Sequence, residues 1–415
     1  MPEAFFFTPT AGCPPVLQII YSLTAGGSCP PLIDNQVEHF VQKLKFQFED
    51  LLWLARLSSP ETARAASAAY EALSARERYA FFLSPAVFSE MFRQQWAGKT
   101  PELRGLIDLC IGESALETSA QYPGEARERW NPLFSKASHA GGIPGNAYVA
   151  PLLGGSVTVD LSSPFCKRSD MTSPVFFGDF VPFTEEEKER VLSKLSAAFA
   201  EIEATAPIFA RIIRNYTRVA CVRKREGAPP ASEQVSDEIG AIRLLNVHSP
   251  DYTHESLMDD LIHESVHNLL STYEYLEHPF QIVGGESDGD ARPVSPWSMR
   301  PIRVLPFLHA VFVYFAILHY TLKRMERGEL SAEQQRLAVK RRNRYASGFL
   351  MPGKLSDYVK PFSNVDPRTL HAMDQMQQII RRRFSPLPES RPENVAVAPA
   401  GGAQYQPPVQ KGAAP

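Results

Sequence analysis

The segment MDDLIHESVHNLL, at residues 258–270, constrains the fold more than any other part of the chain. Its apolar residues recur at three- and four-residue spacing, which predicts a helix from about 253 to 276. Residues four apart lie one above the other on a helix, so His263 and His267 face the same way. Two imidazoles in that relation can bind one metal ion, and Glu264 can reach a water bound to it. We therefore predict a metal site here. The alternative is a pair of ordinary structural histidines.

A catalytic metal site needs a third protein ligand. Position 273, where one class of zinc peptidase carries a histidine, is Tyr273. Glu286 is a candidate in the Gly- and Asp-rich segment 281–296. His309 is the other, because an imidazole near the start of an apolar helix is costly without a partner. We favour His309; the alternative is a buried histidine bonded to a carbonyl. His319 points about 80° away on the same helix and is not expected to share the ion.

Composition excludes several classes of function. The chain has 415 residues, 44% hydrophobic and 21% charged, as in an ordinary soluble globular protein. Its 43 basic and 46 acidic residues give a net charge of −3, which does not favour nucleic-acid binding. Five scattered cysteines without a C-x-x-C pair indicate a reducing, cytoplasmic compartment and no cysteine zinc site. The apolar segment 304–322 approaches the length of a membrane span, but two histidines interrupt it, so we expect a buried helix and no membrane partner.

The chain divides into four predicted regions. Residues 1–34 are predicted to form an irregular arm and 35–130 a helical N-terminal domain. Residues 131–384 are the predicted metal-binding catalytic domain, and the Pro-, Gly- and Ala-rich tail 385–415 is predicted to be disordered. The predicted fold class is α+β and predominantly helical. By analogy, the motif helix packs against a small sheet in a zincin-like arrangement.

Within the catalytic domain, the motif helix is predicted to follow a small set of strands. One helix is expected from Thr184 to about Tyr216, and 226–238 reads as a Pro- and Ser-rich linker. Basic clusters near 340–344 and 381–383 are expected on solvated helix faces or on a weak docking surface for an acidic peptide. The strands are expected at 219–225 and 240–248, and further helices at about 301–327, 331–347 and 367–383.

Two arginines stand just before His309. Arg300 and Arg303 carry planar forks of donors that suit a carboxylate or a phosphate. They are therefore candidates for binding an anionic ligand near the metal. The alternative is that they are surface arginines, or that they pair with an acid of the motif helix such as Asp259, Asp260 or Glu264.

These motifs together resemble a known family. The HExxH motif is followed by Ser295-Pro296-Trp297, by Arg300-Pro301 and by the run HAVFV that starts at His309. This order resembles the HExxH-containing proteins of ribosomal-peptide biosynthesis clusters, which are described as α-ketoglutarate-dependent peptide β-hydroxylases. The resemblance extends over about 240–325.

The resemblance implies an iron(II) centre held by His263, His267 and His309, with α-ketoglutarate and O₂ as co-substrates and a precursor peptide as partner. It implies that the far carboxylate of the keto acid binds an arginine, for which Arg300 is the first choice and Arg303 the second. Such iron enzymes commonly use two histidines and a carboxylate, so a third histidine is a departure.

Two other functions fit the same motif. In a zinc metallopeptidase, Glu264 would act as general base on a metal-bound water. In a non-catalytic binding protein, the metal would be structural. The five-residue motif alone favours the peptidase, whereas His309 and the residues around Arg300 favour the hydroxylase.

Overall fold

The computed structural model confirms an α+β fold in which helices predominate around one small mixed sheet. The structure describes residues 30–96, 128–130, 149–162, 176–277, 292–362 and 364–384 continuously. It also describes the isolated positions 18, 103, 106, 107, 110 and 280. Glu286 and the predicted disordered tail lie outside them.

In the continuous described residues 30–96, the N-terminal region contains the helices α1 (Pro30–Ser58), α2 (Pro60–Glu71), α3 (Ala75–Phe82) and α4 (Pro85–Trp96). Helix α1 begins inside the segment predicted as an irregular arm, the rest of which lies outside the described residues. Buried side chains of α1 to α4 pack into a core of their own, rich in phenylalanine. The first turn of α1 instead joins the larger core of the molecule through Ile33 and Val37. Helix α1 thus connects the two regions.

The sheet contains β1 (Glu128–Trp130), β2 (Val149–Leu153), β3 (Val157–Asp160), β4 (Val219–Arg223), β5 (Ala231–Glu233) and β6 (Ala241–Leu245). Their order is β1-β2-β3-β4-β6-β5, and β3, β4 and β6 run parallel. Every residue of β4 and β6 is buried, as expected for parallel strands covered on both faces. The strands predicted at 219–225 and 240–248 are confirmed. The prediction of 226–238 as a linker was wrong in part, because β5 pairs antiparallel with β6 there.

The helix predicted from Thr184 to Tyr216 is two helices, α5 (Glu185–Thr205) and α6 (Pro207–Tyr216). Pro207 has no backbone N–H and cannot continue α5, but it suits the first turn of α6. The N-terminus of α5 is fixed by a capping box in which Thr184 and Glu187 bond to each other's backbone.

Four long helices complete the fold: α7 (His254–Leu276), α8 (Val304–Glu326), α9 (Ala332–Ser347) and α10 (Pro367–Phe384). Helix α8 packs against α7 and α9. It is long and apolar enough to cross a membrane, yet 78% of its most apolar window is buried inside the fold. Most of its side chains contribute to the larger core, as predicted for a central helix.

Candidate metal centre

Helix α7 carries the motif, and its register is fixed at two places. At its start, the Thr253 hydroxyl accepts a hydrogen bond from the backbone N–H of Ser256 at 3.2 Å. One residue after the motif, the buried Asn268 amide accepts from Gly240 N–H at 2.9 Å and donates to the Ala241 carbonyl at 3.2 Å. This side chain replaces the ladder bonds at the start of β6, so it holds α7 against the sheet beside the histidines.

The two motif histidines face each other. The Nε2 atoms of His263 and His267 lie 3.2 Å apart. Two nitrogens bound to one ion at about 2.0–2.1 Å are roughly 2.8–3.0 Å apart in octahedral and roughly 3.3–3.4 Å apart in tetrahedral geometry, so a separation between these values fits a shared ion. Burial lowers the pKa of His263 to about 4, and it lowers the pKa of His267 well below its usual value. Both rings are therefore neutral at neutral pH, which is the form that binds metal.

Glu264 lies beside this pair. Its carboxylate and the ring nitrogens of His263 and His267 are all within 4.8 Å of one another, so together they could hold an ion. It accepts a hydrogen bond of 2.6 Å from the hydroxyl of Ser232 on β5. Burial raises the pKa of Glu264 to about 8. The carboxyl is thus held near both histidines by a strand that sequence patterns did not reveal.

His309 approaches the other edge of His267. The Nδ1 atoms of these two rings lie 3.0 Å apart, and the Glu274 carboxylate accepts from the His309 Nε2–H at 2.8 Å. Glu274 lies on α7, two turns after His267. Sequence reasoning missed it, although a spacing of seven residues places it on the face of the motif histidines.

The ligand atoms that lie within 4.8 Å of one another belong to His263, Glu264 and His267, without His309. In these contacts the Nδ1 of His309 faces the Nδ1 of His267, while His263 and His267 face each other through Nε2; as a third ligand, His309 would have to move toward the ion. The Glu274 carboxylate fixes the ring, as carboxylates do for metal-binding histidines. That His309 is a ligand stays a prediction.

The predicted anion-binding arginines are both exposed. Arg303 occupies the N-cap position of α8, and Arg300 lies in the turn before it. Within the described ranges neither makes an ion pair, and the structure does not bring them into contact with the histidines. The three acids proposed as their alternative partners have other contacts: Asp259 pairs with Arg341, Asp260 accepts from the Tyr252 hydroxyl, and Glu264 accepts from the Ser232 hydroxyl. The prediction of a purely solvated face for the 340–344 cluster was therefore wrong for Arg341.

The remaining histidines near the motif have other partners. His319 is buried, and its Nδ1 faces the Phe315 carbonyl oxygen at 2.8 Å, so it does not share the site, as predicted. His254 pairs with Glu201 at 2.7 Å. His248 lies 3.8 Å from Glu187.

An aromatic wall borders the pair on one side; we define it as Trp297, Tyr314 and Tyr345. Tyr314 meets the His263 ring edge-on, with centroids 6.1 Å apart, and Trp297 stacks on Tyr314 at 4.7 Å. The Trp297 indole N–H donates to the Tyr345 carbonyl at 2.9 Å. Gly348 permits this packing, because a Cβ there would meet the indole at 2.2 Å. The wall covers the side of the His263 ring that faces Tyr314.

Comparisons with known proteins add no relative. No protein-family model matches the chain, and no curated protein matches it.

Proposed function

We propose that this protein is an iron(II)- and α-ketoglutarate-dependent oxygenase that hydroxylates a side-chain β-carbon of a ribosomally made precursor peptide. The observation that carries the metal assignment is the 3.2 Å separation of the two neutral Nε2 atoms of His263 and His267. Imidazole ligands suit iron(II), and a site with few protein ligands leaves positions for small molecules. The order of motifs shared with the peptide β-hydroxylases supports the choice of chemistry.

The residues present fit such an ion. His263 and His267 would hold it through Nε2, with His309 as the third ligand and Glu274 fixing the His309 ring. When bound, the iron and keto acid supply O₂-dependent oxidation, in which the keto acid becomes succinate and CO₂ and the peptide gains a hydroxyl. The protein orients the peptide C–H bond and keeps water out, which the half-buried position of both histidines and the aromatic wall support.

The proposed binding path of the peptide runs along β5. This strand is at the end of the sheet in the described part of the chain, and its Ser232 contacts Glu264. An extended peptide added beside an edge strand would use main-chain hydrogen bonds and would pass close to the histidines. We propose that the motif helix and the small sheet together form a zincin-like arrangement. We further propose a cytoplasmic location, which suits five scattered cysteines without a C-x-x-C pair.

A zinc metallopeptidase is the second candidate, and the position of Glu264 favours it. The carboxylate is within 4.8 Å of both ring nitrogens, where it can reach a water bound between them. A bound cation would lower the raised pKa of Glu264 and make it available as a base.

One experiment separates the candidates. The protein is purified anaerobically and loaded with iron(II) or with zinc. Succinate is assayed in air with α-ketoglutarate and a peptide panel, and the peptides are examined by mass spectrometry. We expect succinate with iron and a gain of one oxygen atom on a peptide. Glu264→Gln should retain most of this activity, whereas it should reduce a peptidase by about 10²- to 10⁴-fold. Peptide cleavage with zinc and no succinate with iron would reverse the assignment.

A further inference from the structure

A cavity of about 570 Å³ lies at the edge of the sheet where the parallel strands β4 and β6 end. Its lining comes mainly from the loop 224–229, which follows β4, and from residues between 246 and 251, which follow β6. Ligands of open sheets with parallel strands bind outside the carboxyl ends of those strands. A cavity of this size accommodates a small molecule or a few residues of a peptide.

This cavity is separate from the motif histidines. Asn268, the neighbour of His267, bonds to Gly240 just before β6 begins. Asn246, in the lining of the cavity, follows the last residue of that strand. The six residues of extended chain from Gly240 to Asn246 span roughly 20 Å. Neither His263 nor His267 lines the cavity, so it is a second site, distinct from the candidate metal centre.

A single side chain fixes the loop after β4. The Asn246 amide accepts a hydrogen bond from the backbone N–H of Arg225 at 2.8 Å. It donates to the carbonyls of Arg225 and Ala228 at 2.9 and 2.8 Å. Asn246 itself has a φ of 61°, a left-handed conformation that is costly for a residue with a Cβ and that proteins often retain at binding sites. The backbone that carries Arg225 is therefore held in one position beside the cavity.

The Arg225 guanidinium has a packing partner but no acceptor. Its Cζ lies 3.7 Å from the centre of the Phe177 ring, so the two planes are in contact. Its Nη1 is buried without a hydrogen-bond partner among the described residues. A buried donor without an acceptor is destabilising, and a ligand that supplies the acceptor removes that cost. Stacking uses only the face of the guanidinium, whereas its fork of donors lies in the plane.

His248 supplies a second polar group to the lining. Its ring meets Phe183 edge-on, with centroids 5.7 Å apart. Its Nδ1, like Nη1 of Arg225, is buried and has no hydrogen-bond partner in the described ranges. A ring nitrogen that carries the proton is a donor. The cavity thus has a cationic fork and an imidazole whose hydrogen-bonding capacity is unused.

The charges around His248 are mainly positive. Burial lowers the pKa of this ring, and the charges of Lys224, Arg190 and Lys194 lower it as well. Glu187 is the acid that opposes them. Three cations against one acid create a positive potential at the ring, which favours an anion there.

The acids in the lining leave Arg225 available. Glu187 is ion-paired with Lys224. Glu226 and Asp251 are exposed, so water and salt screen their charges. Among the described residues, none of these acids forms an ion pair with Arg225.

We propose that this cavity binds an anionic group, a carboxylate or a phosphate, through Arg225 and His248. A guanidinium fork matches two oxygens of either group with parallel hydrogen bonds, and the imidazole supplies a third contact. The group has two possible sources, a small phosphorylated molecule or an acidic side chain of a peptide. The site does not depend on the proposed metal or on the proposed reaction.

The test is isothermal titration calorimetry on full-length protein freed of metal by a chelator, so that no anion can bind an ion at the histidines. The probes are inorganic phosphate and hexaglutamate, with hexaglutamine as the uncharged match. Wild-type protein should bind at least one anionic probe and not hexaglutamine. Arg225→Ala should weaken that binding by about 10- to 100-fold, as expected for loss of a charged hydrogen-bonding pair. Arg225→Lys should weaken it less, because the charge stays and the fork is lost.

Arg342→Ala is the matched control. The Arg342 guanidinium also lies over an aromatic ring, that of Phe384, but it does not line the cavity. The variant removes the same charge and the same kind of contact, so it should bind the probes like the wild type. Thermal unfolding verifies that each variant folds. His248→Phe keeps a ring and should weaken the same probe by about 3- to 10-fold, which gives a second, independent variant.

Phosphate binding that is lost in Arg225→Ala would assign the cavity to a phosphorylated molecule. Loss confined to hexaglutamate would assign it to an acidic peptide. Failure of both anionic probes to bind, or equal affinity of the wild type and Arg225→Ala, would overturn the proposal. Because the titrations involve neither metal nor turnover, a failure of the oxygenase assay would leave this site untouched.

Discussion

Helix α7 contributes histidines to two polar clusters, and the polar groups of the two clusters are satisfied in different ways. At its first turn, His254 and Arg324 both bond to Glu201, with His254 at 2.7 Å. These bonds, with that of His254 the largest cause, lower the pKa of Glu201 to about 2. Nine residues later, the nitrogens of His263 face those of His267, and burial lowers the pKa of both rings.

The difference distinguishes a structural histidine from a pair of histidines that could hold a metal. In the first cluster, the Glu201 carboxylate bonds to both Arg324 and His254, so the cluster is complete without a ligand. In the second, neutral imidazoles turn their nitrogens toward each other, and Glu274 bonds to His309 and to the backbone N–H of Phe280 rather than to a motif histidine, as far as the described residues show. Such a set gains stability from a cation, because lone pairs that face one another are satisfied by a shared ion.

The largest expected effect comes from removing a motif histidine. His263→Ala should lower metal affinity by at least about 100-fold, because it deletes a ligand, whereas removal of outer partners typically costs 10- to 100-fold. His254→Ala is the control on the same helix and should keep full occupancy. The check is metal content of the folded proteins by mass spectrometry after dialysis. Equal metal occupancy in His263→Ala and His254→Ala would show that the two clusters do not differ in metal binding.

His309 is the next test. His309→Ala should lose the metal while the fold survives, as expected for a third ligand. Glu274→Gln keeps the shape of the side chain and should weaken metal binding by about 10- to 100-fold. Metal affinity and circular dichroism are measured on both variants. Full occupancy in His309→Ala would remove His309 from the ligand set.

The clusters should also differ in their response to acid in the metal-free protein. The folded pKa of His263, about 4, is below the unfolded value near 6.5. The unfolded chain therefore binds more protons between these values, and stability falls as the pH drops from 6.5 to 4. The contribution is on the order of 3 kcal/mol. For Glu201, lowered to about 2, the loss begins only below about pH 4.5.

Urea unfolding at a series of pH values measures this difference. His263→Asn should flatten the slope between pH 6.5 and 4 and leave the steeper loss below 4.5 in place. An unchanged slope in that variant would mean that His263 is not buried as a neutral ring.

The smallest effect tests whether the start of α7 is separable from the site. Thr253→Ala removes the side chain that accepts from Ser256 N–H, and it should cost about 1 kcal/mol of stability. Because the cap lies before the His254 cluster, metal affinity should not change. A drop in affinity comparable to that of Glu274→Gln would show that the helix start and the metal pair are coupled.

Local sequence patterns predicted much of this architecture. Apolar periodicity predicted α7 and α8, and four-residue spacing predicted the facing histidines. Strand β5 was missed because a three-residue strand is defined by its partner β6 and not by its own composition. Because β5 was missed, the role of Ser232 in positioning Glu264 was missed as well. The pairing of Arg341 with Asp259 depends on where α9 lies relative to α7, which no local pattern contains.

The most direct test of the central claim is an anomalous difference map from crystals of the protein loaded with iron(II) or zinc, recorded at the metal edge. The account predicts one strong peak at about 2.0–2.2 Å from the Nε2 atoms of both His263 and His267, and its distance to His309 decides whether that ring is a ligand. The absence of a peak there, with metal bound elsewhere on the chain, would contradict the account.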